Sequence, residues 1–398
     1  MQDNRTMEKE LLIEIIKLSL RPSGNIHFPD GLDILELAKI IKRQHIELLV
    51  YPGLSKQSDE KCLELAKLLE SRYHNLLFKS VVQENEIENL LQCMEKEKIE
   101  TLPLKGWIMR RYYPDPSMRI MTDFDILIRD FNEQKMKKFM EDRGFEIKSI
   151  GISNHDVYVK KDILIVELHK SLSNVKLESQ KPKLHQWLNE VWTRCKKVSE
   201  KGFIHELTKE DFYIYHLIHY YKHIWSSGAG IRSLVDVYMI LKADEQNLDW
   251  NYVDCVLNEL ELKPFEVFIR NLAMTAFGER EVELNTVQKE FLDMILSGGL
   301  FGSKKLNENM RLVGKEKESY GTAKLAVLRD MVFPPVRMLQ VRYPVLKKYP
   351  WMLPAVWICR GCRIAVHESW KISKFFKGSN RESYDEIYDI FQNAGIKW

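Results

Sequence analysis

With 398 residues, 45% of them hydrophobic and 29% charged, the chain has ample material for a packed core and, at about 150 residues per domain, is expected to form two or three domains. A formal net charge of +3 gives no electrostatic reason to expect nucleic acid or an anionic membrane as the main partner. No apolar run approaches the ~20 residues of a membrane span, and the first one, LLIEIIKLSL, is broken by Glu14 and Lys17, so no signal peptide is expected; six scattered cysteines suit a reducing cytoplasm.

Residues 1–98 read as a helical region. DGLDILELAKIIKRQ follows a candidate cap at Asp30, and DEKCLELAKLLESRYHNLLFKSVVQENEIENLLQCMEKEK keeps its apolar residues three and four apart. Residues 99–175 change character. IETLPLKGW is a short apolar strand meeting Pro103 and Gly106, WIMRRYY a helical turn or two closed by PDP, RIMTDFDILI a strand, and NEQKMKKFMEDRG a helix stopped by Gly144. FEIKSIG, DVYVKK and ILIVELH are further strands, the last two joined by a tight turn at Lys160–Asp162. From about Leu177 helices return, divided into 176–300 and 301–398, with TKEDFYIYHLIHYYKHIW, IRSLVDVYMILKAD and DEIYDIFQNAG the clearest. The expected fold class is α+β, a small sheet unit embedded in helices.

Period two places Asp123, Asp125 and Leu127 on one face of their strand and Phe124, Ile126 and Ile128 on the other. Adjacent carboxylates repel and lose solvation when buried, so a bound divalent cation is an economical reason for two acids in so apolar a strand. Glu167, in ILIVELH, closes a three-carboxylate site if its strand is a neighbour. Upstream, Lys105 and Gly106 lie where a strand gives way to a helix, which lets a phosphate approach free backbone N–H groups, and Arg119 adds a bidentate cation. D-x-D alone is a frequent pattern; its strand context, the later acid and the Lys-Gly turn are what raise it. Together these groups suit two-metal nucleotidyl transfer, with carboxylates for two Mg²⁺ ions (or Mn²⁺) and cations for the polyphosphate.

At these residues the chain resembles the DNA polymerase β-like nucleotidyltransferase superfamily and, within it, the group of bacterial uncharacterised nucleotidyltransferases. Lys105–Gly106, the stretch YPDP…R…DFDILI with Asp123 and Asp125, and VELH with Glu167 and His169 carry the likeness. So does HLIHYYKHIW…GIRSLVDVYMIL, with His219, His223, Arg232 and Asp236; the resemblance covers most of the chain from about residue 75. The superfamily's usual Gly-Gly or Gly-Ser pair stands here as Gly106–Trp107. The resemblance implies a mixed-sheet core with two Mg²⁺ ions, a nucleoside triphosphate donor (ATP by default), and a helical domain, 176–300, bearing on an acceptor that is a small molecule, a protein or RNA. Asp123, Asp125 and Glu167 would be the catalytic metal ligands and Lys105, Gly106 and Arg119 the nucleotide contacts. His169, His219, His223, Arg232 and Asp236 would serve the acceptor or support the ligands. A competing reading, motivated by Trp107, keeps the scaffold as a non-catalytic nucleotide-binding or protein-interaction module.

His216, His219 and His223 share one helical face, either as a packed cluster, a transition-metal site or acceptor contacts. Arg232 and Asp236, one turn apart, are expected to pair. Cys359 and Cys362 form a C-x-x-C followed by His367, without a second ligand pair nearby, and read as thiols on a helix. The stretch VRMLQVRYPVLKKYPWMLPAVWICRGCRIAVHESWKISKFFKG interleaves bases with aromatics; packed helices with charged outer faces explain it, and an RNA acceptor would be sought there first.

Overall fold

The computed structural model describes residues 2–397 apart from 22–23, 152, 174–177, 179–180, 227, 280–281, 299–308, 310–311, 314–318, 335, 337–338, 341–342, 344 and 368–380. The N-terminal region is helical as expected: α1 (Gln2–Leu20), α2 (Ile34–Gln44), α3 (Glu47–Leu54) and the 37-residue α4 (Glu60–Lys96). The cap of α2 is Asp33, not Asp30: the Asp33 carboxylate accepts the Glu36 N–H at 2.9 Å. Asp30 instead precedes the turn at Gly31 (φ +80) and pairs with Lys61 at 2.9 Å.

Five strands form the sheet: β1 (Thr101–Pro103), β2 (Phe124–Ile128), β3 (Glu146–Ser149), β4 (His155–Lys160) and β5 (Leu164–His169), in the order β1-β2-β5-β4-β3. β2 and β5 run parallel and the other pairs antiparallel, so the sheet is mixed. The helix α5 (Lys105–Met109) follows β1, and α6 (Glu133–Glu141) with the β3–β4 hairpin makes the crossover from β2 to β5. Alternation divides the sheet into two unlike faces. Phe124, Ile126, Ile128, Val166, Leu168 and Tyr158 pack against Ile87, Leu90 and Met94 of α4 and Met136, Phe139 and Met140 of α6. The opposite face carries Asp125, Glu167 and His169.

Beyond the sheet come α7 (Pro182–Asn189), α8 (Lys209–Ser226), α9 (Ile231–Asp244), α10 (Trp250–Glu259), α11 (Lys263–Phe277), α12 (Thr286–Gly298), α13 (Tyr320–Val332), α14 (Leu353–His367) and α15 (Arg381–Asn393). A two-stranded ladder, Lys196–Lys197 with His205–Glu206, interrupts a region expected to be wholly helical, and the Thr101–Ile204 bridge ties it to β1. One apolar cluster runs from Leu11 and Leu12 of α1 through Tyr213 and Ile214 of α8 and Leu234 of α9 to Phe391 and Ile396. Leu127 joins it from β2, so the acidic face of the sheet looks toward the helices. No helix among the described residues is long and apolar enough to cross a membrane. All six cysteines are free thiols, with Cys359 and Cys362 exposed on α14. Part of the basic-aromatic stretch, including 368–380, lies outside the described residues.

Candidate active site

The parallel β2–β5 register sets Asp125 beside Glu167 and Leu127 beside His169. Asp123 falls one residue before β2, which starts at Phe124 rather than within RIMT, and accepts the Thr122 hydroxyl at 2.9 Å. All three carboxylates feel one another. Burial pushes Glu167 up, and the charges of Asp125 and Asp123 help carry it to about 7. Burial also raises Asp123, with Asp125 as the next cause. Asp125 goes the other way: burial acts to raise it, but Lys105 and His169 outweigh that and hold it well below the usual carboxylate range.

Lys105 reaches Asp125 because of the turn between β1 and α5. The Leu104 N–H donates to the Asp125 carbonyl at 3.0 Å, and Lys105 adopts φ +47, a left-handed conformation that costs an L residue of order 1 kcal/mol. From there its Nζ donates to Asp125 Oδ1 at 2.6 Å. His169 Nε2 meets the same oxygen at 2.8 Å and lies 3.6 Å from Glu167 Oε2. Asp125 and His169 are buried, while Lys105 and Glu167 keep about a fifth of their side chains exposed, at 22% each.

Of the phosphate contacts expected from the sequence, Arg119 has another partner here and Gly106 packs closely on Met121. Gly106 is closed in by Met121, whose Cγ would lie 3.1 Å from an added Cβ, and α5 is only five residues long, too short to present much of a dipole. Trp107 turns away into the far side of the sheet, edge-on to Phe124 at 6.0 Å. Arg119 is buried, and its Nε and Nη2 bind the two oxygens of Asp236, both at 2.7 Å. Its Nη1 donates to the Ile120 carbonyl at 2.5 Å. The expected Arg232–Asp236 pair is therefore replaced: Asp236 takes Arg119 and the Tyr113 hydroxyl, the latter at 2.7 Å. Arg232 instead reaches the Ile120 carbonyl with Nη1 at 3.4 Å. Burial and the neighbouring Arg119 charge lower its guanidinium to about 9, against the pull of Asp236.

α8 covers the acidic face. His219 and His223 contact each other through Nε2 atoms 2.9 Å apart. Burial lowers both, and the Lys105 charge lowers them further, which locates them beside the site. His216 stands apart, buried against Phe212 with its Nε2 unpartnered. Tyr215, also buried, is raised by burial and feels Lys105, Asp125 and Glu167.

His155 is a site residue that the sequence reading missed. The antiparallel β4–β5 register pairs it with His169, and its Nε2 lies 3.7 Å from Glu167 Oε2. The tight turn at Lys160–Asp162 held the signal: counting outward equally along both strands brings His155 opposite His169. The oxygen donors of Asp123, Asp125 and Glu167 suit Mg²⁺. Ligand atoms of His155, Glu167 and His169 also lie within 4.8 Å of one another, a nitrogen-rich set at the same place.

A family model described as Uncharacterised nucleotidyltransferase matches residues 30–278, which include the sheet, α8 and α9. No curated protein and no solved structure matches the chain.

Proposed function

The chain belongs to the uncharacterised nucleotidyltransferase family and is a nucleotidyltransferase; from that premise we propose that it moves a nucleoside monophosphate from a nucleoside triphosphate to an acceptor hydroxyl or phosphate, releasing pyrophosphate. The observation that supports this most is the Asp125–Glu167 register pair with Asp123 at the mouth of the same strand. Asp123, Asp125 and Glu167 would hold divalent metal, Mg²⁺ by the hardness of its oxygen donors. Bound there, the metal would neutralise the charge that develops on the transferring phosphoryl group and lower the pKa of the acceptor hydroxyl.

The chain's own groups supply the rest. The acceptor oxygen attacks the α-phosphorus as the bond to the β-phosphate oxygen breaks, and pyrophosphate leaves with that electron pair. Glu167, partly exposed and beside Asp125, is placed to take the acceptor proton. Lys105 already meets Asp125 with its ammonium, and it offers a point charge for the polyphosphate at the mouth of the site. Arg119 shapes the floor through Asp236, and Arg232, whose hydrogen bond is one long contact, faces the phosphates in its place. His219 and His223, on the helix covering the site, stand on the acceptor side. ATP is the default donor, since no base-specific signature is present.

Incubating the protein with α-labelled triphosphates, Mg²⁺ or Mn²⁺ and a cell extract tests this, and the labelled fraction identifies the acceptor class. A metal-dependent thermal shift with ATP but no label in any fraction would overturn transfer in favour of a nucleotide sensor.

A further inference from the structure

Three carboxylates suffice for the oxygen-ligated ions of nucleotidyl transfer, yet two imidazoles stand in the same layer. Register puts them there. His155 on β4 faces His169 on β5, and Glu167, two residues before His169, is paired in register with Asp125. His155 Nε2 and His169 Nε2 approach the same atom, Glu167 Oε2, at 3.7 and 3.6 Å. Those separations are too long for ordinary hydrogen bonds. They are close to the spacing of neighbouring ligands on one metal ion, where bonds of about 2.0–2.2 Å set donor atoms roughly 3–3.5 Å apart.

The surroundings point the same way. The His155–His169 ring centroids are 5.0 Å apart, and both Nδ1 atoms are buried without a hydrogen-bond partner. On the Nε2 side both rings converge on one carboxylate oxygen, with His169 also touching Asp125 Oδ1. Imidazole with carboxylate is a donor set for first-row transition metals, whereas Mg²⁺ favours oxygen and water.

We propose that His155, Glu167 and His169 form a site for a divalent transition-metal ion, distinct in chemistry from the oxygen-ligated Mg²⁺ position at Asp123 and Asp125. The ligand set stands on its geometry alone; its use in transfer rests on the function proposed above. Ligation through Nε2 exchanges the 2.8 Å contact of His169 with Asp125 Oδ1 for the ion, while Lys105 remains on that oxygen. Glu167 would then be shared between the two positions, which couples the transition metal to the reacting centre.

The test uses the full-length protein stripped by chelation and titrated with Co²⁺, followed by its visible absorption. Wild type should take up Co²⁺ with the spectrum of nitrogen ligation, and one Co²⁺ should remain bound in about a 100-fold excess of Mg²⁺, which fills the oxygen-ligated position. His155→Ala should weaken Co²⁺ binding at least about tenfold, and His155→Gln, which keeps the side-chain volume, should do the same with an unchanged metal-free Tm. Displacement by equimolar Mg²⁺, or unchanged Co²⁺ affinity in both His155 variants, would overturn the site. Transfer by Asp123→Asn is measured in parallel with Mg²⁺. If that variant keeps full activity while the His155 variants lose Co²⁺, the carboxylate reading of transfer fails and the metal site stands.

Discussion

Arg119 and Asp236 meet in a two-pronged buried ion pair, joining the loop that enters β2 to the middle of α9. Tyr113 adds its hydroxyl to the same carboxylate, so three segments converge on one acid. Removing one partner of such a pair strands the other charge at a cost of about 3–5 kcal/mol. Asp236→Ala is expected to lose stability on that scale in urea unfolding. The pair also sets a pH dependence. Burial acts to raise the Asp236 carboxyl, but Arg119 outweighs it and holds it below its ordinary value. A depressed folded value stabilises above the unfolded one, near 3.9, and that contribution fades as pH falls through the folded value. The stability gap between wild type and Asp236→Asn should therefore be full at neutral pH and shrink below about pH 4. A gap unchanged down to pH 2 would contradict the pairing.

The carboxylates should separate by role. A metal ion contributes several kcal/mol of transition-state stabilisation, and about 1.4 kcal/mol is tenfold in rate. Asp123→Asn and Asp125→Asn are thus expected to lower transfer by about 10³-fold or more. Asp125→Asn should also cost stability, because Lys105 and His169 share its Oδ1, whereas Asp123, hydrogen-bonded to Thr122, should be replaced almost silently. Thermal melts beside activity assays check both halves. An active Asp125→Asn enzyme would rule out its place in the reaction.

Local pattern made much of this legible and long-range pairing made the rest opaque. Alternation along FDILI and ILIVELH gave Asp125 and Glu167 each a face of its own strand, and the parallel register brought the two together. The helical blocks followed from their apolar spacing. By contrast, no local signal joins Arg119 to a residue 117 positions away, and the helical neighbours Arg232 and Asp236 looked like partners because i,i+4 geometry permits it. The bidentate geometry of Arg119 displaced that pairing. Asp123 was assigned to a strand whose ladder starts one residue later. His155 needed the hairpin register, which the turn implied and the strand motif did not.

Gln44 fixes where α9 begins. Its Nε2 donates to the carbonyls of Ile295 and Leu296 at 3.0 and 2.9 Å, and its Oε1 accepts the Ile231 N–H at 2.9 Å. The side chain is fully buried. Each backbone group left unpaired costs about 1–3 kcal/mol, so Gln44→Ala, which leaves all three of them, should lower unfolding stability by about 3 kcal/mol or more. Chemical denaturation measures this, and a loss below about 0.5 kcal/mol would show that other groups satisfy those atoms.

Arg232 is the next residue along α9, and its prediction is the converse of the one for Arg119. Among the described residues its hydrogen bond is the 3.4 Å contact with Ile120, and it lies near enough to Asp123 for each to feel the other's charge. Little of the fold depends on so long a bond, so Arg232→Ala should shift Tm by no more than a few degrees. A charge-assisted contact with a phosphate is worth about 1.5–3 kcal/mol, which corresponds to about a 10- to 100-fold rise in KM for the triphosphate. Arg232→Lys should recover part of that, keeping the charge while losing the fork. Arg119→Ala should instead lower Tm strongly, because it leaves Asp236 buried without its cation. Steady-state kinetics and melts on the three variants check the division. An unchanged KM in Arg232→Ala would remove Arg232 from the phosphate side of the site.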